Sequence, residues 1–157
     1  MIESSLAAEL CRSLQKRRYL LATAESCTGG LLSHWITNVP GSSASYLGGV
    51  IAYDNAIKES LLRVPSDLIE EHGAVSAPVA RAMALGVRDL LGAHIGVAIT
   101  GIAGPTGAVS GKPVGTVFVS ISTPEGESSR RYQWPGDRIA NKESSARAAL
   151  RFLLEVI

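Results

Sequence analysis

The spacing of apolar residues predicts alternating helices and strands along the whole chain. Leu6, Leu10 and Leu14 recur at helical spacing, whereas two later apolar runs have the length of strands. Clusters of Gly, Pro and Ser separate these segments. The elements predicted in the first half are a helix at 2–18, a strand at 19–24, a break at 26–30, a helix at 31–38, a loop at 40–45, a strand at 46–53, a short helix at 55–62 and a further helical turn at 65–72.

Capping and turn residues organise the second half of the chain. Ser76 is a favourable N-cap for a long helix, and Pro78 is tolerated in the first turn of that helix. A Pro-Glu-Gly turn predicts an antiparallel hairpin. The elements predicted here are a helix at 77–91, a buried strand at 94–100, a loop at 101–113, strands at 114–122 and 128–134, and a last helix at 139–157. This order predicts one α/β domain, residues 1–157, with a mixed sheet.

The composition narrows the class of protein. A chain of 157 residues suits one domain, and its 46% apolar content excludes a disordered chain. The formal net charge of +1 gives no basic face for nucleic acid, and no apolar run reaches the length of a membrane span. Two cysteines and three scattered histidines form no metal-ligand motif. We therefore expect a cytoplasmic protein with no metal, no cofactor, and no nucleic-acid or membrane partner.

The first candidate site is the break between the first strand and the second helix. Amides at a helix N-terminus stabilise an anion or a developing oxyanion, and Gly29 and Gly30 let a substrate approach the backbone. Ser26 or Cys27 in such a turn is a candidate nucleophile. The alternative is that Ser26 or Thr28 is only an N-cap. The segment matches neither the Gly-x-Ser-x-Gly turn of hydrolases nor a P-loop.

The second candidate site is the pair Tyr53 and Lys58. A nucleophilic serine needs a base, and no histidine lies in a credible partner position. A lysine can serve as that base if burial lowers its pKa, with a tyrosine relaying or holding the proton. The alternative is a lysine on the solvated face of a short helix.

The third candidate site is the glycine-rich loop that follows the strand at 94–100. The chain has 16 glycines, above the average usage of about 7%, and they concentrate in this region. Ligands of α/β sheets usually bind at the carboxyl ends of strands, and long loops without helix or strand are usually functional. The alternative is a purely structural loop.

These segments together carry a family resemblance. The matching segments are 23–30 (TAESCTGG), 48–53 (GGVIAY), Lys58, 73–76 (GAVS), 98–105 (AITGIAGP), 112–117 (KPVGTV) and 136–138 (GDR). They cover nearly the whole chain, and the strings TAESCTGG and TGIAGP are distinctive. The sequence resembles the C-terminal domain of the competence/damage-inducible CinA family, whose stand-alone members are nicotinamide-nucleotide amidases.

The resemblance implies a three-layer α/β/α sandwich with a mixed, mostly parallel sheet that includes an antiparallel strand. It also implies bacterial pyridine-nucleotide salvage, in which nicotinamide mononucleotide is hydrolysed to nicotinic acid mononucleotide and ammonia. In the family a serine is the nucleophile, helped by a tyrosine and a lysine. Those roles fall on Ser26, Tyr53 and Lys58. The residues implied to contact the substrate are Thr100, Gly101, Gly104 and, at the phosphate, Arg138.

Two positions depart from the family pattern. Many relatives have a further glycine where Ala108 stands, so the loop tip is expected to be stiffer or differently shaped. Relatives often have a second arginine where Lys142 stands. Lysine keeps the charge but loses the bidentate geometry of arginine towards phosphate.

The mechanism that we expect is acyl transfer through a covalent intermediate. Neutral Lys58 takes the proton from Ser26, with Tyr53 in the same hydrogen-bond chain, and Ser26 attacks the carboxamide carbon. Amides of the turn hold the oxyanion. The backbone groups placed against the reacting end of the substrate are those of Cys27, Thr28, Gly29 and Gly30.

Two other functions stay open at this point. The domain is alternatively a non-catalytic module that binds a nucleotide or phosphate. It is alternatively a Cys27-dependent amidohydrolase, because a nearby helix N-terminus would lower the pKa of that thiol. The partners that we expect are a pyridine nucleotide and, from the family and the apolar helix faces, further copies of the same chain.

Overall fold

The computed structural model describes residues 1–157, with six α-helices and five strands. In chain order these are α1 (Ile2–Arg17), β1 (Leu21–Glu25), α2 (Leu31–Thr37), a 3-10 turn (Ser42–Ala44), β2 (Tyr46–Ile51), α3 (Asn55–Ser60), α4 (Ser66–His72), α5 (Ala77–Leu91), β3 (Ile95–Gly101), β4 (Thr116–Thr123), β5 (Gly126–Gln133) and α6 (Arg138–Val156). Every predicted helix and strand is present. The ends differ by a few residues. β2 stops before Ala52, and the two hairpin strands extend further towards the tight turn that joins them.

The five strands form one mixed sheet in the order β2-β1-β3-β4-β5. β1 pairs in parallel with β2 and β3, and β4 pairs antiparallel with β3 and β5. Four strands therefore point one way, and β4 points the other way. The carboxyl ends of β2, β1 and β3 lie side by side at one edge of the sheet, where ligands of α/β folds usually bind.

Helices cover both faces of the sheet. On one face, α1, α2 and α6 enclose the larger core, to which they contribute Leu10, Ile36 and Leu150. On the other face, α5 and the connection between α3 and α4 enclose a second core, to which they contribute Met83 and Leu62. The predicted three-layer α/β/α architecture is thus confirmed.

Side-chain size determines how closely α5 lies on the sheet. The strands present small residues to α5, including Ala22, Ala24 and Ala98. A Cβ added at Gly96 of β3 would overlap the carbonyl oxygen of Ala84 in α5. Successive side chains of a strand point to opposite faces of the sheet. The larger ones therefore face α1, α2 and α6, and the small ones on the opposite face let α5 pack closely.

No helix in the structure has both the length and the apolar character that a membrane-spanning segment requires.

Candidate active site

Ser26 and Lys58 meet at the carboxyl edge of the sheet. Ser26 directly follows β1, and its amide donates to the Ile99 carbonyl of β3 at 2.9 Å. Lys58 lies in α3, which starts after β2 with Asp54 as its N-cap. Lys58 Nζ is 3.1 Å from Ser26 Oγ. Parallel pairing of neighbouring strands therefore joins residues that are far apart in the sequence.

Lys58 is buried, with only 1% of its surface exposed. It is not the solvated lysine of the alternative interpretation. Nζ also donates to the carbonyls of Ala52 at 2.9 Å and Tyr53 at 3.1 Å. Burial lowers the pKa of Lys58 below its ordinary value, and the charge of Asp54 partly opposes this effect.

The three contacts of Lys58 fit both protonation states of its amine. A lysine ammonium has three donors and no acceptor. The ammonium donates to the two carbonyls and to Ser26 Oγ. After loss of one proton, the neutral amine keeps two N–H bonds for the carbonyls, and its lone pair faces the Ser26 hydroxyl. The geometry therefore places a proton acceptor beside a candidate nucleophile.

The turn after Ser26 corrects the N-cap interpretation. Neither Ser26 nor Thr28 caps α2, whose N-cap is Gly30 and lacks a capping side chain. The carboxylate of Glu25 takes this role from outside the turn, accepting from the amides of Leu32 and Ser33. A cap supplied from the end of β1 thus leaves the side chains of the turn without a capping role.

The amides of the turn differ in availability. Gly29 was expected to help hold the oxyanion, but its amide donates to the Ser26 carbonyl at 3.1 Å. The amides of Cys27, Thr28 and Gly30 have no acceptor on any other residue. The Thr28 hydroxyl is buried and also has no hydrogen-bond partner. The donors left for an anion are therefore those of Cys27, Thr28 and Gly30.

Cys27 differs from the reactive thiol that its neighbourhood suggested. Burial raises the pKa of Cys27 to about 12, the opposite of the lowering expected at a helix N-terminus. A hydrogen bond from the amide of Cys27 itself and the positive charge of Lys142 lower this pKa only in part. A thiol with so high a pKa is almost entirely protonated at neutral pH, so it is a poor nucleophile.

Tyr53 is placed differently from the expected hydrogen-bond chain. Its phenol makes no hydrogen bond to Ser26 or Lys58. Instead, Arg138 NH2 donates to the Tyr53 hydroxyl at 3.0 Å, and Arg138 NH1 donates to the Gly104 carbonyl at 2.7 Å. Only the main-chain carbonyl of Tyr53 joins the Ser26–Lys58 group. With 62% of its surface exposed, the side chain forms part of the cavity mouth.

A cavity of about 330 Å³ lies between the strand ends. The predicted residues that line it are Ser26, Cys27, Tyr53, Lys58, Thr100, Gly101, Gly104 and Arg138. Thr28, Gly29 and Gly30 belong to the adjoining turn and do not line the cavity. No group of three or more His, Cys, Asp or Glu side chains is placed to hold a metal ion.

The third predicted segment forms the far wall of this cavity. Thr100 is buried, and its hydroxyl donates to the Ala74 carbonyl at 2.9 Å. A side chain at Gly101 or Gly104 would crowd Val117 or Val114. Both glycines therefore serve the close packing of the loop, and the carbonyl of Gly104 also holds Arg138.

The start of α6 positions the cations of the site. Asp137 is the N-cap and accepts from the Ala140 amide at 2.9 Å, which explains the acidic residue before Arg138. Lys142 lies one turn further on the same face. Its Nζ is 3.7 Å from the point where a Cβ of Gly29 would stand, and it makes no ion pair.

Comparison with known proteins identifies the family. The family model of the CinA C-terminal domain matches residues 3–157. This chain belongs to the CinA family. Among curated relatives, it is 47% identical over 150 residues to a CinA-like protein of Desulfotalea psychrophila, which covers 93% of this chain and 36% of that protein. It is 51% identical over 146 residues to a CinA-like protein of Salinibacter ruber, with 93% and 35% covered.

Solved structures of CinA proteins share the fold of this CinA domain. A CinA superfamily protein of Escherichia coli aligns with a TM-score of 0.96 and 31% identity, over 100% of this chain and 91% of that one. A competence damage-inducible protein A of Klebsiella pneumoniae aligns with a TM-score of 0.95 and 34% identity, over 98% and 95%. The chain spans about a third of the length of the curated relatives it matches.

Sequence reasoning missed two residues that build the site of this CinA domain. Glu25 was noted only as the residue before Ser26, although an acidic residue just ahead of a helix is a capping signal. The buried Asn141 donates to the Ala103 carbonyl at 3.0 Å and accepts from the Gly136 amide at 3.0 Å. It ties the glycine-rich loop to α6, and no local sequence signal indicates this contact.

Proposed function

We propose that this CinA domain hydrolyses the carboxamide of nicotinamide mononucleotide to nicotinic acid mononucleotide and ammonia. The observation that carries the proposal is the 3.1 Å contact between the buried amine of Lys58 and the Ser26 hydroxyl. A serine beside a lysine of lowered pKa is a recognised arrangement for nucleophilic catalysis.

The proposed reaction proceeds through an ester with Ser26. Lys58 removes the hydroxyl proton as Ser26 Oγ attacks the carboxamide carbon. The resulting oxyanion accepts a hydrogen bond from the amide of Cys27, the residue of the turn after Ser26 that lines the cavity. Lys58 returns its proton to the departing nitrogen, and ammonia leaves. A water molecule then attacks the ester, Lys58 takes a proton from that water and returns it to Ser26, and the acid is released.

The cations of α6 support a substrate with a phosphate group. Arg138 lies in the first turn of α6, where the helix dipole disfavours a positive charge. A cation at such a position is better explained by an anionic ligand than by helix stability. Two of its five N–H groups are occupied by Gly104 and Tyr53, and Lys142 is unpaired nearby. We propose that Arg138 and Lys142 bind the phosphate together.

Ammonia release from nicotinamide mononucleotide tests the proposal. We expect Ser26→Ala and Lys58→Met each to lower kcat by at least about 10³-fold, because nucleophile and base act as a unit. Cys27→Ala is the matched control in the same turn and should retain most of the activity, because the Cys27 thiol is protonated. Near wild-type turnover in Ser26→Ala, with loss of turnover in Cys27→Ala, would show that Cys27 and not Ser26 is the nucleophile.

The substrate panel separates turnover from binding. Nicotinamide riboside and free nicotinamide lack the phosphate, so we expect a higher KM for both. Lys142→Ala should raise KM for the mononucleotide alone, by about tenfold for a lost charged contact. Tight binding of the mononucleotide without ammonia release would show instead that the domain is a binding module.

A further inference from the structure

The carboxylate of Glu25 joins the end of β1 to the start of α2, on either side of the turn that carries Ser26. Glu25 is the last residue of β1 and is 1% exposed. Its Oε1 accepts from the Leu32 amide at 2.9 Å, and its Oε2 accepts from the Ser33 amide at 3.1 Å and the Ser33 hydroxyl at 2.6 Å. The side chain therefore spans the turn that begins with Ser26 and fastens the end of β1 to α2.

The position of this carboxylate is itself fixed from several sides. The carbonyl of Glu25 accepts from the Ala52 amide at 2.8 Å. The Ser33 hydroxyl lies 2.8 Å from the hydroxyls of both Thr23 and Tyr46, which extends the network across β1 and β2. A Cβ at Gly49 would overlap the Thr23 hydroxyl, so the glycine in β2 makes room for this network.

Stability alone is a weak reason for a charge at this place. Glu25 makes no ion pair, and burying a carboxylate carries a desolvation cost that its hydrogen bonds and the helix dipole must offset. A serine or asparagine at the start of α2 would cap the helix without burying a charge. Such a cap, however, would place its own side chain within the turn that carries the nucleophile and the free amides.

We propose that Glu25 is a positioning residue, whose carboxylate holds the Ser26–Gly30 turn so that Ser26 faces Lys58 and the amides of Cys27, Thr28 and Gly30 stay free. It acts on the reaction through the main chain and contacts no substrate. This inference rests on the proposed serine nucleophile. A displacement of reacting groups by about 1 Å costs about 10²-fold in rate, so a small relaxation of the turn is measurable.

Two readouts test the proposal, and one does not depend on the identity of the substrate. Ammonia release gives kcat and KM, and the rate of covalent labelling by a fluorophosphonate reports the reactivity of Ser26 directly. We expect Glu25→Gln to lower kcat and the labelling rate together, by about 10- to 100-fold, with KM nearly unchanged. The assay temperature is kept well below the melting temperature of each variant.

Ser33→Ala is the matched control, because it removes one of the three donors to Glu25 and leaves both backbone contacts in place. It should lower the melting temperature but keep labelling within about threefold of wild type. If Glu25→Gln does not fold, Glu25→Asp keeps the charge and moves it back by one methylene. Glu25→Asp should also label slowly.

The outcomes distinguish the two proposals. Wild-type labelling rates in folded Glu25→Gln or Glu25→Asp would overturn the positioning role and leave the proposed function intact. If Ser33→Ala and Glu25→Gln lost labelling rate equally, and in proportion to their loss of stability, Glu25 would serve only as a structural cap of α2. A wild-type protein that is labelled but releases no ammonia would overturn only the proposed identity of the substrate. A wild-type protein that does neither would overturn both proposals.

Discussion

At the scale of single residues, the site depends on which atom of a residue faces the cavity. Tyr53 contributes its carbonyl to Lys58 and its phenol to Arg138, so one residue serves two different groups. A role for the phenol in proton transfer would need contact with Ser26 or Lys58, which the structure does not contain. The phenol instead orients the guanidinium that we assign to the phosphate.

Replacement of Tyr53 by phenylalanine tests this division. Because the hydrogen bond that the charged guanidinium of Arg138 donates to the phenol is lost, we expect KM to rise by about tenfold and kcat to change little. Steady-state ammonia release measures both constants. In an Arg138→Ala background the same replacement should have almost no further effect. A fall in kcat of about 10³-fold with unchanged KM would instead place the phenol in the proton-transfer chain.

At the scale of elements, close approach of backbones shapes the support for Lys58. A Cβ at Gly86 in α5 would overlap the carbonyl oxygen of Leu62, just beyond α3. The same segment is tied to the base, because the Val64 amide donates to the Lys58 carbonyl at 3.0 Å. α5 therefore holds the connection after α3 in place, and with it the position of Lys58.

For Gly86→Ala, helix propensity and tertiary packing predict opposite changes in the free energy of unfolding. Helix propensity alone predicts stabilisation by about 0.5–1 kcal/mol. The overlap with Leu62 predicts destabilisation by about 1–3 kcal/mol and a loss of activity through displaced Lys58. Urea denaturation gives the sign, and Ala82→Gly on the same helix calibrates the propensity effect. A Gly86→Ala protein that is more stable and fully active would contradict this account of α5.

The elements were largely predictable from the sequence, whereas the contacts between them were not. Apolar periodicity and the Ser76 cap are local signals, so the helices and strands were found close to their true ends. Ser26 and Lys58 were candidates from the residues themselves, and the family resemblance assigned them their roles as nucleophile and base. The Arg138–Tyr53 contact and the role of Asn141 depend on strand order and loop closure, which no local pattern encodes. The Glu25 cap did have a local signal, an acidic residue just ahead of a helix, which was overlooked.

At the scale of the whole molecule, one buried amine links stability to activity. The folded-state pKa of Lys58 is below its ordinary value of 10.5, mainly because burial disfavours the charged form. Between the folded and unfolded pKa values, the unfolded chain binds one more proton than the folded protein. The free energy of unfolding therefore rises with pH across that window. Below the folded pKa, Lys58 is charged in both states, and its burial is a cost to stability.

We expect activity and this part of the stability to rise together as pH increases. Lys58 must be neutral to accept the Ser26 proton, so kcat/KM should increase with pH to a plateau, with a midpoint below 10.5. Wild type should also gain stability relative to Lys58→Met from that midpoint upwards to pH 10.5, as measured by urea denaturation at each pH. Lys58→Met is the control that removes both effects. A stability difference between wild type and Lys58→Met that stays constant with pH would show that the Lys58 pKa is not lowered by folding. An activity profile that kept its midpoint while that difference stayed constant would assign the titrating base to another group.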